Sequence, residues 1–482
     1  MTPSYEAVIG LEVHVQLLTA SKAFCSCATG FGAEPNTNVC PVCLGFPGAL
    51  PVVNREVVDS ALRLGLSVGA TINGTSWFSR KNYFYPDLPK GYQISQYDKP
   101  ICTGGRVTID LEDGTLREIG LTRIHIEEDA GKSIHVAGDG TLVDLNRSGV
   151  PLLEIVSEPD LRTPREASLF LQKIRQIVTY LGICDGNMER GSLRCDANVS
   201  VRQAGQELFG VRTELKNMNS FRNVERAIEF EIARQIILLA HGQTVLQETL
   251  LWDADRSAAR PIRRKEESDD YRYFPEPDLA PLSPNQAWVA QLQQLLPEHP
   301  TVRRDRFMAQ YALSRYDANV LSAERETADY FEAVLGELGS SSPESAKSAG
   351  NWVMTEMLRV VSEQKTAIGE VPVSPAHLAE LIRLIGNGTI SGRIAKDIFA
   401  GMLRTGKAPG AIVEEEGLVQ LSDEDQLGAV ADLVLARYAA QAEKYRAGND
   451  ELFGFFVGEV MKATRGRANP ELLGALLRKK LI

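Results

Sequence analysis

Five stretches near the start of the chain alternate apolar and ionisable side chains with a period of two. That pattern confines each to a strand with one buried and one open face. In "GLEVHVQL" (residues 10–17), Leu11, Val13, Val15 and Leu17, together with Ile9, point one way; Glu12, His14 and Gln16 point the other. "RIHIEED" puts Arg123, His125 and Glu127 opposite Ile124 and Ile126, and "PLLEIVSEPD" puts Glu154 and Glu158 on one face. "LRCDANVSVR" turns Arg194, Asp196, Asn198, Ser200 and Arg202 outward, and "VRTELKN" groups Arg212, Glu214 and Lys216. One such strand is ordinary wet sheet surface. Five of them, joined in one sheet, predict a polar cradle whose oxygen donors and imidazole suit Mg²⁺ or Mn²⁺ better than zinc.

Cysteine usage points to a second kind of site. Cys25 and Cys27 form C-x-C, Cys40 and Cys43 form "CPVC", and twelve residues separate the pairs. Two close pairs around a short loop suit tetrahedral thiolate ligation of Zn²⁺. Four thiolates fill the coordination sphere, so this zinc is expected to brace the fold and take no part in chemistry. Disulfides are the rival reading, but no basic-then-apolar leader is seen, which points to a reducing compartment. Cys102, Cys184 and Cys195 are scattered and are expected to pack in the core.

At 482 residues the chain exceeds one ordinary core, and two to four domains are expected. No eighteen-residue apolar run occurs, so no membrane span is expected. A net charge of −11 argues against a general nucleic-acid coat but leaves room for a local basic patch.

Up to about Pro284 the text is strand-rich, interrupted by helical spacing over 165–181, opened by Thr163-Pro164, and over 221–241, opened by Asn219-Ser220. Strands and helices without strict alternation predict an α+β class with a mostly antiparallel sheet. Beyond about 300 nearly everything has helical period: 323–338 and 346–361 around a "GSSSPES" linker, then 375–385 and 392–403. Further helices are expected near Ala411, after "SDED" (422–425), over 452–464 and over 470–481. The last segment carries Lys462, Arg465, Arg467, Arg478, Lys479 and Lys480, which alone reads as a solvated helix face.

"SRKNYFYPDLPKGYQISQ" (79–96) interleaves Arg80, Lys81 and Lys90 with Tyr83, Phe84, Tyr85 and Tyr92. "KEESDDYRYFPEPD" (265–278) sets Arg272 between Tyr271 and Tyr273. Cations among rings can hold phosphates and stack a base, or simply pack beneath the sheet. "DAGKS" (129–133) ends like a P-loop, but Ile126 stands where that motif requires Gly. No G-x-S-x-G nucleophile and no Ser-rich amidase loop is present.

The segments "IGLEVHVQL", "RKNYFYPDLPKGYQISQ", "HIEEDAGKS", "PLLEIVSEPD", "GSLRCDANVS", "ELKNMNS" and "DYRYFPEPDL" resemble, in the same order, the signature segments of the B subunits of aspartyl/glutamyl-tRNA amidotransferases. The likeness covers essentially the whole chain. No stretch is long enough for the synthetase-like insertion of the archaeal E subunit.

The resemblance implies a catalytic cradle domain at 1–295 containing the cysteine cluster, a helical domain at 296–407 and a small all-α YqeY-like tail at 408–482. It implies that ATP phosphorylates the side-chain carboxylate of Glu-tRNA(Gln) or Asp-tRNA(Asn), and that ammonia from the glutaminase (the A subunit) displaces phosphate. The C subunit, which straps the assembly, and a cognate non-discriminating synthetase are further expected partners. The cytoplasm is the expected location. By motif position, Glu12, His14, Glu127 and Glu154 are the expected Mg²⁺ ligands and Asp196 a further active-site acid. Lys81, Tyr83 and Glu214 are the expected nucleotide contacts. The four cysteines match a zinc site found in only part of the family, and the basic tail becomes a candidate tRNA contact. A non-catalytic zinc-braced RNA-binding scaffold is the alternative; a stand-alone metal nuclease or phosphatase would act without ATP or partners.

Overall fold

The computed structural model describes residues 4–136, 138, 140–264, 271–418, 423–464 and 467–481. Two compact units divide the chain, Met1–Pro300 and Thr301–Ile482.

The first unit is built on a ten-stranded sheet. Its strands are β1 (Tyr5–Gln16), β2 (Thr71–Ile72), β5 (Cys102–Thr103), β6 (Arg106–Asp110), β7 (Leu116–Glu128), β10 (Pro151–Ser157), β11 (Leu193–Gln203), β12 (Thr213–Lys216), β13 (Glu248–Asp253) and β14 (Ala258–Arg264). The spatial order is β14-β13-β12-β11-β1-β10-β7-β5-β2, with β6 also on β7. Every neighbouring pair is antiparallel except β12 with β13. A three-stranded sheet, β15 (Phe274–Pro275), β3 (Ser79–Asn82) and β4 (Tyr92–Ser95), and a hairpin of β8 (Lys132–Val136) and β9 (Gly140–Asp144) complete the unit.

The period-two pattern sets the layers. Ile9, Leu11, Val13 and Val15 of β1, Ile124 and Ile126 of β7, and Leu193, Cys195, Ala197 and Val199 of β11 all enter one core. Three helices supply the opposite wall: α1 (Arg55–Ser67), α2 (Pro164–Tyr180) and α3 (Phe221–Ala240). α2 starts where Thr163 Oγ1 accepts the Glu166 N–H at 3.1 Å, with Pro164 in its first turn. α3 starts likewise where Ser220 Oγ accepts the Asn223 N–H at 3.1 Å. Phe170, Leu171, Ile174 and Val178 are wholly buried, each side chain contributing roughly 1.5–3 kcal/mol of burial free energy. Cys102, Cys184 and Cys195 are buried as expected.

Helix α1 is not among the expected elements. Asn54 caps it and Val57, Val58, Ala61, Leu62 and Leu64 fall on its buried side, but the stretch follows a Gly- and Pro-punctuated run that favours loops. In the second unit, the helix expected from 346 begins earlier, at Pro343, because Ser342 Oγ accepts the Ser345 N–H. Three of the seven residues of the supposed linker are therefore helix. That helix runs through a π turn, Val353–Met357, into Leu358–Gln364. Thr301–Ile482 holds two separate cores, one from Phe307 to Val413 and one from Leu427 to Leu481. Among the described residues, no helix is long and apolar enough to cross a membrane.

Candidate active site and metal centres

The open face of the sheet is built by register. β1 lies between β11 and β10, and β10 lies between β1 and β7. His14 therefore stands opposite Arg194 on one side and Glu154 on the other, while Glu154 stands opposite His125. Directly opposite residues bring Cβ atoms within about 5 Å, so short acids and imidazoles can meet across strands. His14 Nε2 lies 3.6 Å from Glu127 Oε1 and 3.3 Å from Glu154 Oε2. His125 Nε2 lies 3.8 Å and 3.4 Å from the same two carboxylates.

The same face carries a second group. Glu12 is opposite Asp196, and Asn198 is opposite Glu214. Asn198 Nδ2 donates to Glu12 Oε1 at 2.7 Å, and Thr249 Oγ1 donates to Glu214 Oε2 at 2.8 Å. Lys216 bonds Asp196 and lies 3.2 Å from Glu214. One donor atom from each of His14, Glu127 and Glu154 lies within 4.8 Å of the others, and so does one from each of Glu12, Asp196 and Glu214. Opposite ligands of an octahedral Mg²⁺ are about 4.2 Å apart, so either group fits such an ion with slight closing. Glu12 groups with Asp196 and Glu214, apart from His14, Glu127 and Glu154. Glu158, past the end of β10, accepts from Thr122 at 2.8 Å.

The electrostatics agree with this layout. Burial works against the charged forms of all four groups in the first cluster. The carboxylates Glu154, Glu127 and Asp196 nevertheless raise His14 to about 9, and His125 is raised by Glu154 and Glu127. In return His125 and His14 hold the Glu154 carboxyl well below the usual range, and His125, His14 and Lys81 lower Glu127. Without a cation His14 is thus held as an imidazolium between the two carboxylates, while His125 Nδ1 accepts from Arg123 Nε at 3.4 Å.

Lys81 approaches from β3, in the smaller sheet. Burial disfavours its ammonium, but Tyr273, Glu127 and Glu154 close by keep it firmly protonated. Its Nζ lies 5.0 Å from the centre of the Tyr271 ring. Tyr83, beside Tyr271 and Tyr85, donates to Gln93 at 3.3 Å. Arg80 holds β15 against β3 through Glu276 at 2.6 and 2.8 Å, and Asn82 donates to the carbonyls of Tyr271 and Arg272. Arg272 takes a left-handed backbone (φ 46°) there, and both tyrosines flank Lys81. Lys90 is engaged by Glu128. Residues 265–270 of the second aromatic segment lie outside the described residues.

Cys25, Cys27, Cys40 and Cys43 converge on loops, one sulfur of each within 4.8 Å of the rest. Cys40 and Cys43 Sγ are 3.9 Å apart, close to the roughly 3.8 Å edge of a tetrahedron with Zn–S of about 2.3 Å. Hydrogen bonding from Cys25 and from the Cys40 N–H, with the Lys22 ammonium beside it, pulls the Cys43 thiol down to about 4 against the cost of burial. Lys22 is wholly buried; its Nζ donates to Asn38 O at 2.7 Å and Leu145 O at 3.4 Å and lies 3.6 Å from Cys43 Sγ.

His125, Arg194 and Lys216 join the site without having been singled out from the sequence, although the parity of β7, β11 and β12 already put each on the open face. Nothing in "TASKAFCSC" separates Lys22 from a surface lysine. In the basic tail, Lys480 is bound by Asp432 at 2.7 Å and Arg478 lies over Phe453; Arg465 lies outside the described residues.

The chain is similar to known proteins over nearly its whole length. Residues 7–290 match the GatB/GatE catalytic domain and residues 329–481 match the GatB domain. The aspartyl/glutamyl-tRNA(Asn/Gln) amidotransferase B subunit of Chlorobium phaeobacteroides (strain BS1) is 56% identical over 478 residues, 99% of each chain. The protein of the same name from Geotalea daltonii is 56% identical over 481 residues, and that from Geobacter sulfurreducens 55% over 482, each again covering 99% of both chains.

Proposed function

The chain belongs to the family of aspartyl/glutamyl-tRNA(Asn/Gln) amidotransferase B subunits, and from that premise we propose what its residues do. As a B subunit it serves tRNA-dependent amidation within a complex of other subunits and tRNA. The chemistry we infer is ATP-dependent phosphorylation of the side-chain carboxylate of Glu-tRNA(Gln) or Asp-tRNA(Asn), then displacement of phosphate by ammonia from the glutaminase partner. A carboxylate is a poor electrophile with a poor leaving group, and conversion to an acyl phosphate repairs both faults. The strapping C subunit and a non-discriminating synthetase complete the expected partners.

The observation that carries this reading is the convergence of His14, Glu127 and Glu154 from three adjacent strands. We assign these with Glu12 as ligands of divalent cations, Mg²⁺ first, with Asp196 and Glu214 closing the second seat. A cation there supplies charge neutralisation between ATP and the anionic acceptor. The protein's own part is to hold two anions in line and exclude water. Lys81 offers a protonated amine to phosphoryl oxygens, Tyr83 packs beside it, and Glu214 borders the nucleotide from β12. Lys216 already pairs with Asp196 and Glu214, so a cation in the second seat must share or displace that ammonium.

The four cysteines form a set that fits zinc, and we propose a resident Zn²⁺ that braces the loop. We retain three domains, 1–295, 296–407 and 408–482; two separate cores after Thr301 support a second division, with Ile412 and Val413 packing into the earlier core and moving that division past residue 413. The match to a catalytic domain, with its acid-bearing strands, favours this reading over a non-catalytic RNA-binding scaffold.

The test is the assembled complex given ATP, mischarged Glu-tRNA(Gln) or Asp-tRNA(Asn), and ammonia directly. ADP and amide should form only when the charged tRNA is present. ADP release that ignores the charged residue would overturn the assignment.

A further inference from the structure

We propose that the Arg194 guanidinium is a recognition group for a substrate oxyanion in the cradle, a carboxylate or phosphoryl oxygen. The proposal rests on the function inferred above. Arg194 occupies the open face of β11 directly across from His14, so it borders the His14–Glu127–Glu154 cluster. Its Nη2 donates to Asp129 Oδ2 at 2.7 Å and its Nη1 reaches Asp129 Oδ1 at 3.4 Å. That grip fixes the plane of the guanidinium.

Two features show that pairing with Asp129 does not exhaust it. Asp129 already has Arg147 Nε at 3.5 Å and accepts the Ala130 N–H at 3.0 Å, so two guanidinium groups share one carboxylate. Arg194 Nε is buried with no hydrogen-bond acceptor among the described residues, while 36% of the side chain stays open to solvent. A buried donor without an acceptor costs the full desolvation of that group, so it persists where something else repays it. An incoming oxyanion does so. The cradle is otherwise lined by Glu12, Glu127, Glu154, Asp196 and Glu214, which repel an anionic substrate. Lys216 is paired with Asp196 and Glu214 and His14 with Glu127 and Glu154, whereas Arg194 from β11 and Lys81 from β3 offer cationic donors beside them that can draw one in. A fixed, planar, permanently charged donor set suits carboxylate and phosphoryl oxygens.

The competing reading is a strut that ties β11 to the end of β7. The deciding experiment uses the assembled complex with Arg194→Lys and Asp129→Asn, beside wild type and Glu154→Gln. Arg194→Lys keeps the charge and the reach to Asp129 but loses the planar Nε–H. It should raise a KM on the order of tenfold to a hundredfold, the loss expected for a charge-assisted hydrogen bond, with the melting temperature kept. A higher KM for charged tRNA names the carboxylate as ligand, and a higher KM for ATP names the nucleotide. A fall in kcat at unchanged KM, again with stability kept, places the contact on the transferring phosphoryl group.

The proposal fails if all constants stay within twofold of wild type. It fails equally if the losses merely follow a drop in melting temperature shared with Asp129→Asn. Should the lysine variant be unstable, Arg194→Gln repeats the test, and instability of both identifies a strut. If wild type makes no tRNA-dependent ADP, or Glu154→Gln keeps full activity, the functional reading itself has failed.

Discussion

In the cradle, His14, Glu127 and Glu154 stand on three hydrogen-bonded strands, and each strand is locked by its neighbours. The four cysteines stand on loops that are tied by side chains to residues 143–146 and to the buried Lys22. Both places gather like charges out of water, and each lowers the cost differently. The cradle offsets its carboxylates with imidazoles, of which His14 gives up its proton only near 9. The cysteine loop offsets the Cys43 thiolate with a lysine that donates to Asn38 and Leu145 and so cannot leave, while Cys25 and Cys27 are pushed up and stay thiols. Hard oxygen donors around a titratable partner suit a cation that comes and goes with substrate; four soft sulfurs around a fixed charge suit one that stays. The contrast predicts that chemistry depends on the cradle and stability on the loop.

The largest effect is expected at Glu154. Glu154→Gln keeps the shape of β10 but removes a ligand charge, and should lower tRNA-dependent ADP formation per folded molecule by about a thousandfold, with a lower melting temperature from the lost pairing with His14 and His125. An active variant would erase the distinction between the two sites. Next comes pH. His14, raised to about 9, must give up its proton before it can ligate a metal. Mn²⁺ affinity, followed by its electron-spin signal, should therefore rise with pH between 7 and 9, by up to about tenfold per unit. The cation-free protein shows the opposite sign. Protonated His14 supports the fold fully below its ordinary 6.5, and that support is lost as pH rises through about 9. A flat Mn²⁺ profile would remove His14 from the ligand set.

The cysteine loop should respond in stability. Cys43→Ser is expected to release zinc, read by a colorimetric chelator, and to lower the melting temperature by several degrees. ADP formation per folded molecule should stay within about tenfold of wild type. Loss of activity without loss of stability would place the thiolates in the chemistry. A smaller change is expected for Lys22→Met, which takes the Lys22 donor from the half-buried Asn38 carbonyl at about 1 kcal/mol, while Leu145 O keeps the Ser148 N–H at 3.1 Å, and which speeds zinc release to the chelator.

The sequence carried local order well. Period-two alternation put Glu12, His14, Glu127, Glu154 and Asp196 on open strand faces, and the caps Thr163 and Ser220 marked helix starts to within a residue. What it could not carry is which strands become neighbours. Glu12 and His14 are two residues apart on one strand, yet they serve different clusters, because Glu12 faces Asp196 of β11 while His14 faces Glu154 of β10. That split follows from long-range register, which no local pattern encodes. Arg194 and His125 sat in plain alternation, but nothing local says that their strands flank the metal ligands. Lys22 was illegible for the reverse reason: its burial depends on the chain from 144 to 149 folding over it.

The tail gives the smallest and most discriminating effect, because it separates a solvated basic face from a phosphate contact. Lys480 is occupied by Asp432, whose side chain is 61% exposed, so the pair is worth about 0–1 kcal/mol. Lys480→Ala should shift the melting temperature only slightly and leave tRNA affinity nearly unchanged. Lys479 is its neighbour on the same helix and is exposed. If the tail touches the tRNA body, Lys479→Ala should weaken binding and reduce the slope of log affinity against log salt by close to one. Equal and negligible slopes for both variants would return the whole basic run to ordinary surface and confine RNA contact to the sheet-bearing unit. A change for Lys479 alone would show that position on the helix, and not the tally of positive charges, decides which lysines meet phosphate.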